Sequence, residues 1–427
     1  MLKFISIPAI ALLLTGPTLL LSQESKPLNL DELVAESIQN NPQLRGARNH
    51  TAAARTKVDQ STSWDAPQIG LEFYQTPIQS FPNPIKNGME TDYFIQQMVP
   101  FPGKLSAMGK SAESNANMIE QEYRALERRM VRDLKSAYFE LFHNQREIQI
   151  NMENQDLMRK FTEISRKQYE VGMGQQADIL RAQTELSTLT NQGVNLLKEK
   201  REVESMINTI LSRPANAPLG NVPDVEIASP QWTFEQLRPL ALANRAEVKS
   251  MNFNIDMNKA ELSGSRREYY PDIMARLMYK NMANTNDDFW SAMVGVNIPL
   301  AFWSSGKYTA KVEENELNVQ KAEDDLASMT NMVSFEVQDA LVKVQSNYNL
   351  VLLYKSSTVP QAEQTLQATL SAYQTGKTEF LMVIDASRMQ LMAKLDYHMA
   401  VMSYMSSQAQ LEQAVGLDIA QISERLR

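Results

Sequence analysis

The stretch PQIGLEFY at residues 67–74 recurs in altered form as PDIMARLMY at residues 271–279. In both copies a proline precedes residues that alternate between apolar and polar side chains, which is the period of a β-strand with one apolar face. The apolar positions are Ile69, Leu71 and Phe73 in the first copy and Ile273, Ala275, Leu277 and Tyr279 in the second. We therefore predict that a strand begins after each proline.

The distance between the two prolines, 271 minus 67 or 204 residues, is kept far along the chain. It also separates Tyr169 from Tyr373, although Gly103 and Gly306, which lie between these points, are 203 residues apart. A spacing held over half a chain indicates an internal duplication. We expect each half to form one structural repeat.

A second strand is predicted in each repeat, which gives hairpins at about residues 68–99 and 272–298. In the second repeat Trp290, Ala292, Val294, Val296 and Ile298 alternate with polar or small residues, whereas Gln97 interrupts the corresponding pattern of the first. Such alternation fits two interpretations equally: a soluble hairpin with one buried face, or strands in a membrane.

A very long helical segment follows each hairpin. Proline is absent between Pro102 and Pro214, and glycine is absent between Gly109 and Gly172. About 60 helical residues span roughly 90 Å, which is too long for the core of a compact domain. The second repeat should be similar, except that Pro360 is predicted to kink or break its helix. Each segment then reaches a glycine corner, from which a second long helix should return.

The composition excludes several classes of protein. Acidic residues (50) outnumber basic residues (42), so nucleic acid is not an expected partner. Cysteine is absent, and the three histidines, His50, His143 and His398, are scattered. There is no glycine-rich phosphate loop and no nucleophile elbow. We therefore expect no enzyme activity, no catalytic residues, no cofactor and no metal site.

The N-terminus has the pattern of a secretory signal peptide, because Lys3 precedes an apolar run from Phe4 to Leu21. The alternative is a single membrane anchor, but Gly16 and Pro17 interrupt the ~20 apolar residues that an anchor needs. The predicted segments are a signal peptide (1–25), a first repeat (26–212), a proline-rich linker (213–231) and a second repeat (232–427).

An exported chain without a long apolar helix can span a membrane only by β-strands. Four strands cannot close a barrel, since ~8 is the usual minimum and open sheet edges are not tolerated in lipid. Three copies would supply twelve strands. The fold class we predict is therefore an α+β membrane protein: a trimeric twelve-stranded transmembrane β-barrel that continues into a periplasmic barrel of helical coiled coils.

The order and spacing of several motifs resemble the TolC family of outer-membrane efflux proteins, from about Leu30 to Leu417. The motifs are the Asn41–Leu44 helix start, Pro67 and Pro271 before the strands, Gln97–Pro100 with Gly103-Lys104, Ile298–Leu300 with Gly306-Lys307, and the corners Tyr169-x-x-Gly172 and Tyr373-x-x-Gly376. The flanks of the strands are more similar to the heavy-metal (cation) branch of the family than to its drug branch.

The resemblance implies a homotrimer in the outer membrane of a Gram-negative bacterium, with a large periplasmic part. It implies a passive channel that takes substrate from a periplasmic adaptor and an inner-membrane efflux pump to the exterior. A periplasmic coiled-coil adaptor or structural protein without a barrel is the alternative, because it would share the helical hairpins.

The resemblance also implies a gate at the second corner. Asp385 matches an inward-facing aspartate ring, and Asp178 and Tyr373 match positions of tip contacts. Two positions depart from the family, since Met382 replaces a second ring aspartate and Thr378 replaces an arginine. One charge ring and an altered set of locking contacts are therefore expected.

Alternation along the strands predicts a lipid-facing surface. Its members are Ile69, Leu71, Phe73, Ile273, Leu277, Trp290, Val294 and Val296. The methionines from Met382 to Met405 recur at spacings of three and seven along one helix. We interpret them as adaptable packing in a coiled-coil seam rather than as thioether ligands of a soft metal.

Overall fold

The computed structural model describes residues 27–85, 88–282, 287–299, 303 and 305–426. The predicted signal peptide lies outside these residues. In chain order the elements are α1 (Leu30–Asn40), α2 (Pro42–Thr62), β1 (Gln68–Tyr74), a 3-10 turn (Ile78–Ser80), β2 (Glu90–Val99), α3 (Lys104–Glu170), α4 (Gln176–Leu211), α5 (Phe234–Asn244), α6 (Ala246–Arg267), β3 (Asp272–Met282), β4 (Asp288–Asn297), α7 (Ser305–Leu353), a π-helical turn (Tyr354–Thr358), α8 (Val359–Gln374), α9 (Phe380–Val415) and α10 (Ile419–Arg425).

The elements follow the predicted duplication, because α1 to α4 with β1 and β2 recur in the same order from α5 onwards. Local sequence explains the helix starts. The side chain of Asn41 accepts a hydrogen bond from the backbone N–H of Gln43, and Pro42 occupies the first turn, where its missing N–H costs nothing. Thr233 and Gln236 form a capping box at the start of α5.

The four strands form one antiparallel sheet in the order β1-β2-β3-β4. The pairing of β2 with β3 joins the two repeats, with Ile95 opposite Leu277 and Val99 opposite Ile273. Along β3, exposed and half-buried residues alternate without exception. The apolar side chains Ile273 and Leu277 are on the exposed face. The sheet therefore turns its more apolar face outward, the reverse of a soluble hairpin.

The helix α3 is 67 residues long, which corresponds to roughly 100 Å. A large core cluster lies where α3, α4, α7 and α9 meet and includes Leu134, Leu141 and Tyr404. Segment 213–231, predicted as a linker, packs against this cluster in an extended conformation. Its Val222 is buried, and the backbone N–H of Val222 donates to Oε1 of Gln145 at 2.9 Å.

The prediction for Pro360 is refined by the π-helical turn that immediately precedes α8. Gly103 and Gly306 are 203 residues apart, but Tyr169 and Tyr373 are 204 apart, so the second repeat contains one extra residue between these points. A π turn is a helical turn with one residue more than the α-helix. The turn therefore absorbs the extra residue, and it leaves the proline without an α-helical hydrogen bond to lose.

The far end of the helices, which we call the tip, is formed by the two corners after α3 and α8. Gly172 and Gly376 have φ angles of +73° and +70°, a conformation that favours glycine. A second apolar cluster, with Phe161, Leu189 and Phe380 among its members, holds both corners together. Among the described helices, none has a stretch apolar enough to cross a membrane.

Candidate functional site: a tip constriction and an apolar sheet face

Tyr373, at the end of α8, contacts two helices of the first repeat at the tip. Its hydroxyl lies 3.4 Å from Oγ of Ser165 on α3 and 3.4 Å from Oδ2 of Asp178 on α4. Its ring packs against Phe380, with centroids 5.2 Å apart. Burial, and then the nearby Asp178 carboxylate, raise the pKa of the Tyr373 phenol, so the hydroxyl stays protonated and donates.

Asp178 was predicted from the resemblance as a tip residue, and the structure gives it two contacts. It is the third residue of α4, where its carboxylate accepts from the backbone N–H of Gln175 in a capping box. It is also only 9% exposed and faces Tyr373. Asp178 therefore couples the start of α4 to the second repeat.

Asp385 lies on α9, two turns beyond the corner, and is exposed. One turn further along the same helix, Arg388 forms a two-pronged contact with Glu185 of α4, with N···O distances of 3.0 and 2.6 Å. Hydrogen bonding to Glu185 raises the pKa of Arg388, and the charge of Asp385 adds to this effect. Because Glu185 holds the guanidinium, the Asp385 carboxylate is left facing solvent.

The two positions that depart from the family are placed differently. Thr378 is half-buried in the corner, whereas Met382 is 53% exposed. Met389, Met392 and Met399 are exposed as well. The expectation that these methionines fill a coiled-coil seam is therefore wrong within one chain; among the described residues only Met402 and Met405 of this series pack against its core.

The structure brings two of the five predicted gate residues, Tyr373 and Asp178, into contact. Thr378 lies half-buried in the second corner, and Asp385 and Met382 are on the exposed side of α9. Sequence reasoning missed Ser165, Glu185 and Arg388. The duplication gave no signal for the ion pair, because the counterparts of Glu185 and Arg388 at a spacing of 204 residues are Met389 and Thr184.

The predicted lipid-facing residues share one face of the sheet. Seven of the eight are exposed, and Phe73 alone is half-buried: Ile69, Leu71, Ile273, Leu277, Trp290, Val294 and Val296 have exposed fractions of 45–79%. On the opposite face, the guanidinium of Arg276 stacks over the ring of Phe94 at 3.9 Å and reaches Glu72 at 2.9 Å. Lys280 lies 2.7 Å from Glu90 on the same face. One face is therefore apolar and the other carries paired charges.

Gln97, which interrupts the apolar pattern of β2, has a local role. Its Nε2 donates to the carbonyl oxygens of Asp65 at 3.0 Å and Met98 at 2.8 Å. Asp65 lies just before β1, so the amide ties the ends of two neighbouring strands together. A polar residue is therefore used at the margin of the apolar face rather than at its centre.

Comparison with known proteins gives a consistent result. A family described as outer membrane efflux protein matches residues 33–211 and 237–417, which are the two repeats. The chain is 21% identical over 410 residues to the outer membrane protein TolC of Vibrio cholerae, covering 91% of this chain and 90% of that one. It is 19% identical over 373 residues to the cation efflux system protein CusC of Escherichia coli O157:H7, covering 83% and 79%.

Among solved structures, a crystal structure of CusC superposes with a TM-score of 0.78 at 17% identity, covering 92% of this chain and 93% of that one. The fold is thus shared where little sequence identity is left. Since the family match covers both repeats from the first helix to Leu417, the chain belongs to the outer membrane efflux protein family.

Proposed function

We propose that three copies of this chain close a twelve-stranded barrel in the outer membrane and form the passive exit duct of a tripartite efflux system. The observation that carries this proposal is the sheet itself. Its outward face is apolar, and its edge strands β1 and β4 have no partner among the described residues of one chain. Unpaired edges are not tolerated in lipid, so further copies have to supply the partners.

The duplication predicts the register of this closure. The pairing between the two repeats places Gln97 of β2 opposite Ala275 of β3. Val99-Pro100 corresponds to Ile298-Pro299, a shift of 199 residues, because the second hairpin, from Pro271 to Pro299, is five residues shorter than the first, from Pro67 to Pro100. Adding 199 to Gln97 gives Val296 of β4, and subtracting 204 from Ala275 gives Leu71 of β1. The equivalent pairing therefore places Val296 of β4 opposite Leu71 of a neighbouring copy.

This register supports the lipid-facing assignment as well. The same shifts place Val294 opposite Phe73 of the neighbouring copy, which would cover the one predicted lipid-facing residue that is half-buried in the single chain. All four side chains lie on the apolar face. The closed sheet would therefore carry an unbroken apolar band, with the charged pairs Arg276–Glu72 and Lys280–Glu90 lining its lumen.

At the other end of the duct, we place the gate at the tip. Three Asp385 carboxylates around the threefold axis would repel one another and attract cations, whereas the contact of Tyr373 with Asp178 would hold the tip shut. A periplasmic adaptor and an inner-membrane pump would dock around this end. Identity does not select a metal cargo, since CusC, the relative named for cation efflux, matches at 19% and TolC at 21%.

Cross-linking between copies tests the assembly. Because the chain has no cysteine, the pair Leu71→Cys with Val296→Cys can join copies only if the predicted strands are neighbours. Oxidation in isolated outer membranes should give covalent trimers on gels without reductant. The pair Glu72→Cys with Val296→Cys is the matched control, because Glu72 points to the other face. A monomeric mass in detergent together with no cross-link would refute the trimer.

A further inference from the structure

A groove lies between α8 and α9 near the tip. Its volume is about 540 Å³, within the range that is typical of small-molecule sites. Met389, Met392 and Ala393 of α9 give it an apolar lining. The outermost residues of α9 in the groove are Asp385 and Asp396, which are 11 residues (396 minus 385) or roughly 16 Å apart along the helix. The groove therefore combines an apolar lining with a carboxylate toward either end.

The space in the groove follows from a difference between the two repeats. At the repeat spacing of 204 residues, three small residues that line the groove correspond to large ones in the first repeat: Ala362, Thr365 and Ala393 correspond to Met158, Phe161 and Leu189. The three large side chains are at most 3% exposed, so they fill the equivalent space. The two aspartates correspond to Arg181 and Gln192. Both the space and the carboxylates are therefore specific to the second repeat.

The groove is also negatively charged. Both aspartates are exposed. Arg388 lines the groove as well, but Glu185 holds its guanidinium at 2.6 Å. The one hydrogen bond that Asp396 accepts from the described residues comes from Tyr354, which carries no charge. A cationic ligand would therefore find two carboxylates that no arginine or lysine of the groove neutralises directly.

The exposed face of α9 shows which way the groove opens. From Leu381 to Met399, the exposed residues of α9 fall on one arc of the helix, and this arc includes Asp385 and both methionines of the groove. The proposed trimer places Asp385 on the threefold axis. The whole arc then faces the lumen of the duct, so the groove is open to the lumen and is not covered by a neighbouring copy.

Resting on the proposed function, we infer that this groove is a binding site within the duct for amphiphilic organic cations. The apolar part of the ligand would lie on Met389 and Met392, whose flexible side chains adapt to ligands of different shape. Its cationic group would lie beside Asp385 or Asp396, and an anion of the same shape would be repelled. The trimer would carry three such sites, on the outer-membrane side of the Asp385 ring.

Protection of an introduced thiol measures binding directly, because the chain has no cysteine of its own. Thr365→Cys places a thiol in the groove, and its alkylation by neutral iodoacetamide is followed in isolated outer membranes. Octyltrimethylammonium should slow this alkylation at least about fivefold at concentrations well above its Kd. Tetramethylammonium, which lacks the apolar chain, and octanesulfonate, which is an anion, should not. Ala368→Cys, exposed on α8 outside the groove, should react at the same rate throughout.

Further substitutions in the Thr365→Cys chain separate the two parts of the site. Met392→Gln makes the lining polar and should raise the concentration for half-protection about fivefold, whereas Met392→Leu should leave it unchanged. Asp396→Asn should raise this concentration severalfold and leaves the Asp385 ring intact. Met399→Gln is the matched control, since Met399 lies on the same arc but outside the groove, and it should have no effect.

Block of the channel tests whether the groove opens to the lumen. A ligand beside Asp385 neutralises part of the ring, so octyltrimethylammonium should reduce cation current in planar bilayers, and Met392→Gln should relieve this block. Protection of the thiol without any effect on current would place the groove outside the duct and overturn the inference.

Three results of the protection assay would also overturn it. Equal protection by tetramethylammonium would show that the apolar lining does not bind, and equal protection by octanesulfonate would show that the carboxylates do not select. A thiol at position 365 that is unreactive without ligand would show that another protein segment covers the groove. The proposed trimer would stand in each case if Leu71→Cys with Val296→Cys links copies, and it fails separately if that pair does not and the mass in detergent is monomeric.

Discussion

The phenolic oxygen of Tyr373 lies 3.4 Å from Oδ2 of Asp178, which joins the last turn of α8 to the first turn of α4. The two residues belong to different repeats, and both are largely buried. A buried hydroxyl next to a carboxylate is costly to leave unpaired. In the proposed duct, separation of the two corners would break this contact, so the contact would oppose opening of the tip.

We expect Tyr373→Phe to loosen the closed tip, because it removes the hydroxyl and keeps the ring packing against Phe380. Open probability in planar bilayers should rise severalfold, while the free energy of unfolding should fall by only about 1 kcal/mol. Tyr169→Phe is the matched control, because Tyr169 is exposed in the single chain and the substitution likewise keeps the ring. Equal effects of the two variants would contradict a locking role for Tyr373.

Asp178→Ala should open the tip in the same direction but should also cost stability. The carboxylate caps α4 as well as facing Tyr373, and loss of a cap typically costs ~1 kcal/mol. Thermal unfolding followed by circular dichroism should therefore separate this variant from Tyr373→Phe, whereas bilayer recordings should not. If Asp178→Ala left open probability unchanged, its role would be confined to capping.

The two faces of β3 should differ in their tolerance of charge. Leu277→Asp would place a carboxylate on the apolar face and should greatly reduce assembly in the outer membrane. Met278→Asp is the neighbouring substitution on the half-buried face and should assemble normally. Heat-modifiable migration of the membrane fraction measures both. Equal tolerance would show that the outward face does not meet lipid.

Deleting one residue from the π-helical turn should be tolerated if the turn absorbs the extra residue of the second repeat. Deletion of Ser356 combined with Pro360→Ala should give a continuous α-helix, as in α3; without the second change the proline would cost ~3 kcal/mol. Deletion of the exposed Asp324 in α7 is the control, because it would rotate Val333, Val337 and Leu341 out of the core. A similar loss of thermal stability in both variants would contradict this account.

His398 should make the stability of the chain depend on pH. Burial, and then Arg146 and His143, lower its pKa to about 4, and the opposing effects of Asp224 and Glu153 are smaller. Since the ordinary value is near 6.5, the unfolded chain binds more protons between these values. Stability should therefore be constant, as far as His398 is concerned, above pH 6.5 and should fall from there toward pH 4.

His398→Gln should flatten this pH dependence, because no proton is then taken up on unfolding at this position. Melting temperatures of the variant and the wild type should be compared from pH 7 to pH 4.5. The difference between them at pH 7 should shrink or reverse as the pH falls, because only the wild type loses stability through His398. His50→Gln, at an exposed position, should leave the wild-type slope unchanged. An unchanged slope in His398→Gln would exclude His398 as its source.

The duplication made most of the fold predictable, because each strand, long helix and glycine corner was supported by two copies of its pattern. Alternation also identified the apolar face of the sheet. The ion pair of Arg388 with Glu185 could not be found in this way, since it depends on how the two helical hairpins pack. The only sign of the π-helical turn in the sequence was that the spacing between the repeats changes from 203 to 204 residues. Pro360 alone predicts a kink or break in the helix and not an inserted residue.

Methionine shows the limit of pattern reading most clearly. Spacings of three and seven predict a buried seam, but they do not say which chain supplies the other half. Met402 and Met405 pack against the core of their own chain, whereas Met382 and Met389 are exposed in it. The distinction depends on what the neighbouring helix presents at that height, and a one-dimensional pattern does not contain this information.

The last prediction concerns Asp385 and the charge of the constriction. Its carboxylate is exposed, and Glu185 already holds the nearby Arg388, so that arginine does not neutralise Asp385 directly. In a trimer, three such carboxylates could be bridged by one multivalent cation. Conductance should therefore be cation-selective and blocked by trivalent cations added from the periplasmic side. Asp385→Ala should weaken this block at least tenfold without disturbing α9, because alanine is the better helix former.

Glu379, the exposed residue just before α9, supplies the control: Glu379→Ala removes a carboxylate from the corner and should change the block little. Undiminished block in Asp385→Ala would refute the ring, and loss of block in Glu379→Ala alone would move the cation site to the corner.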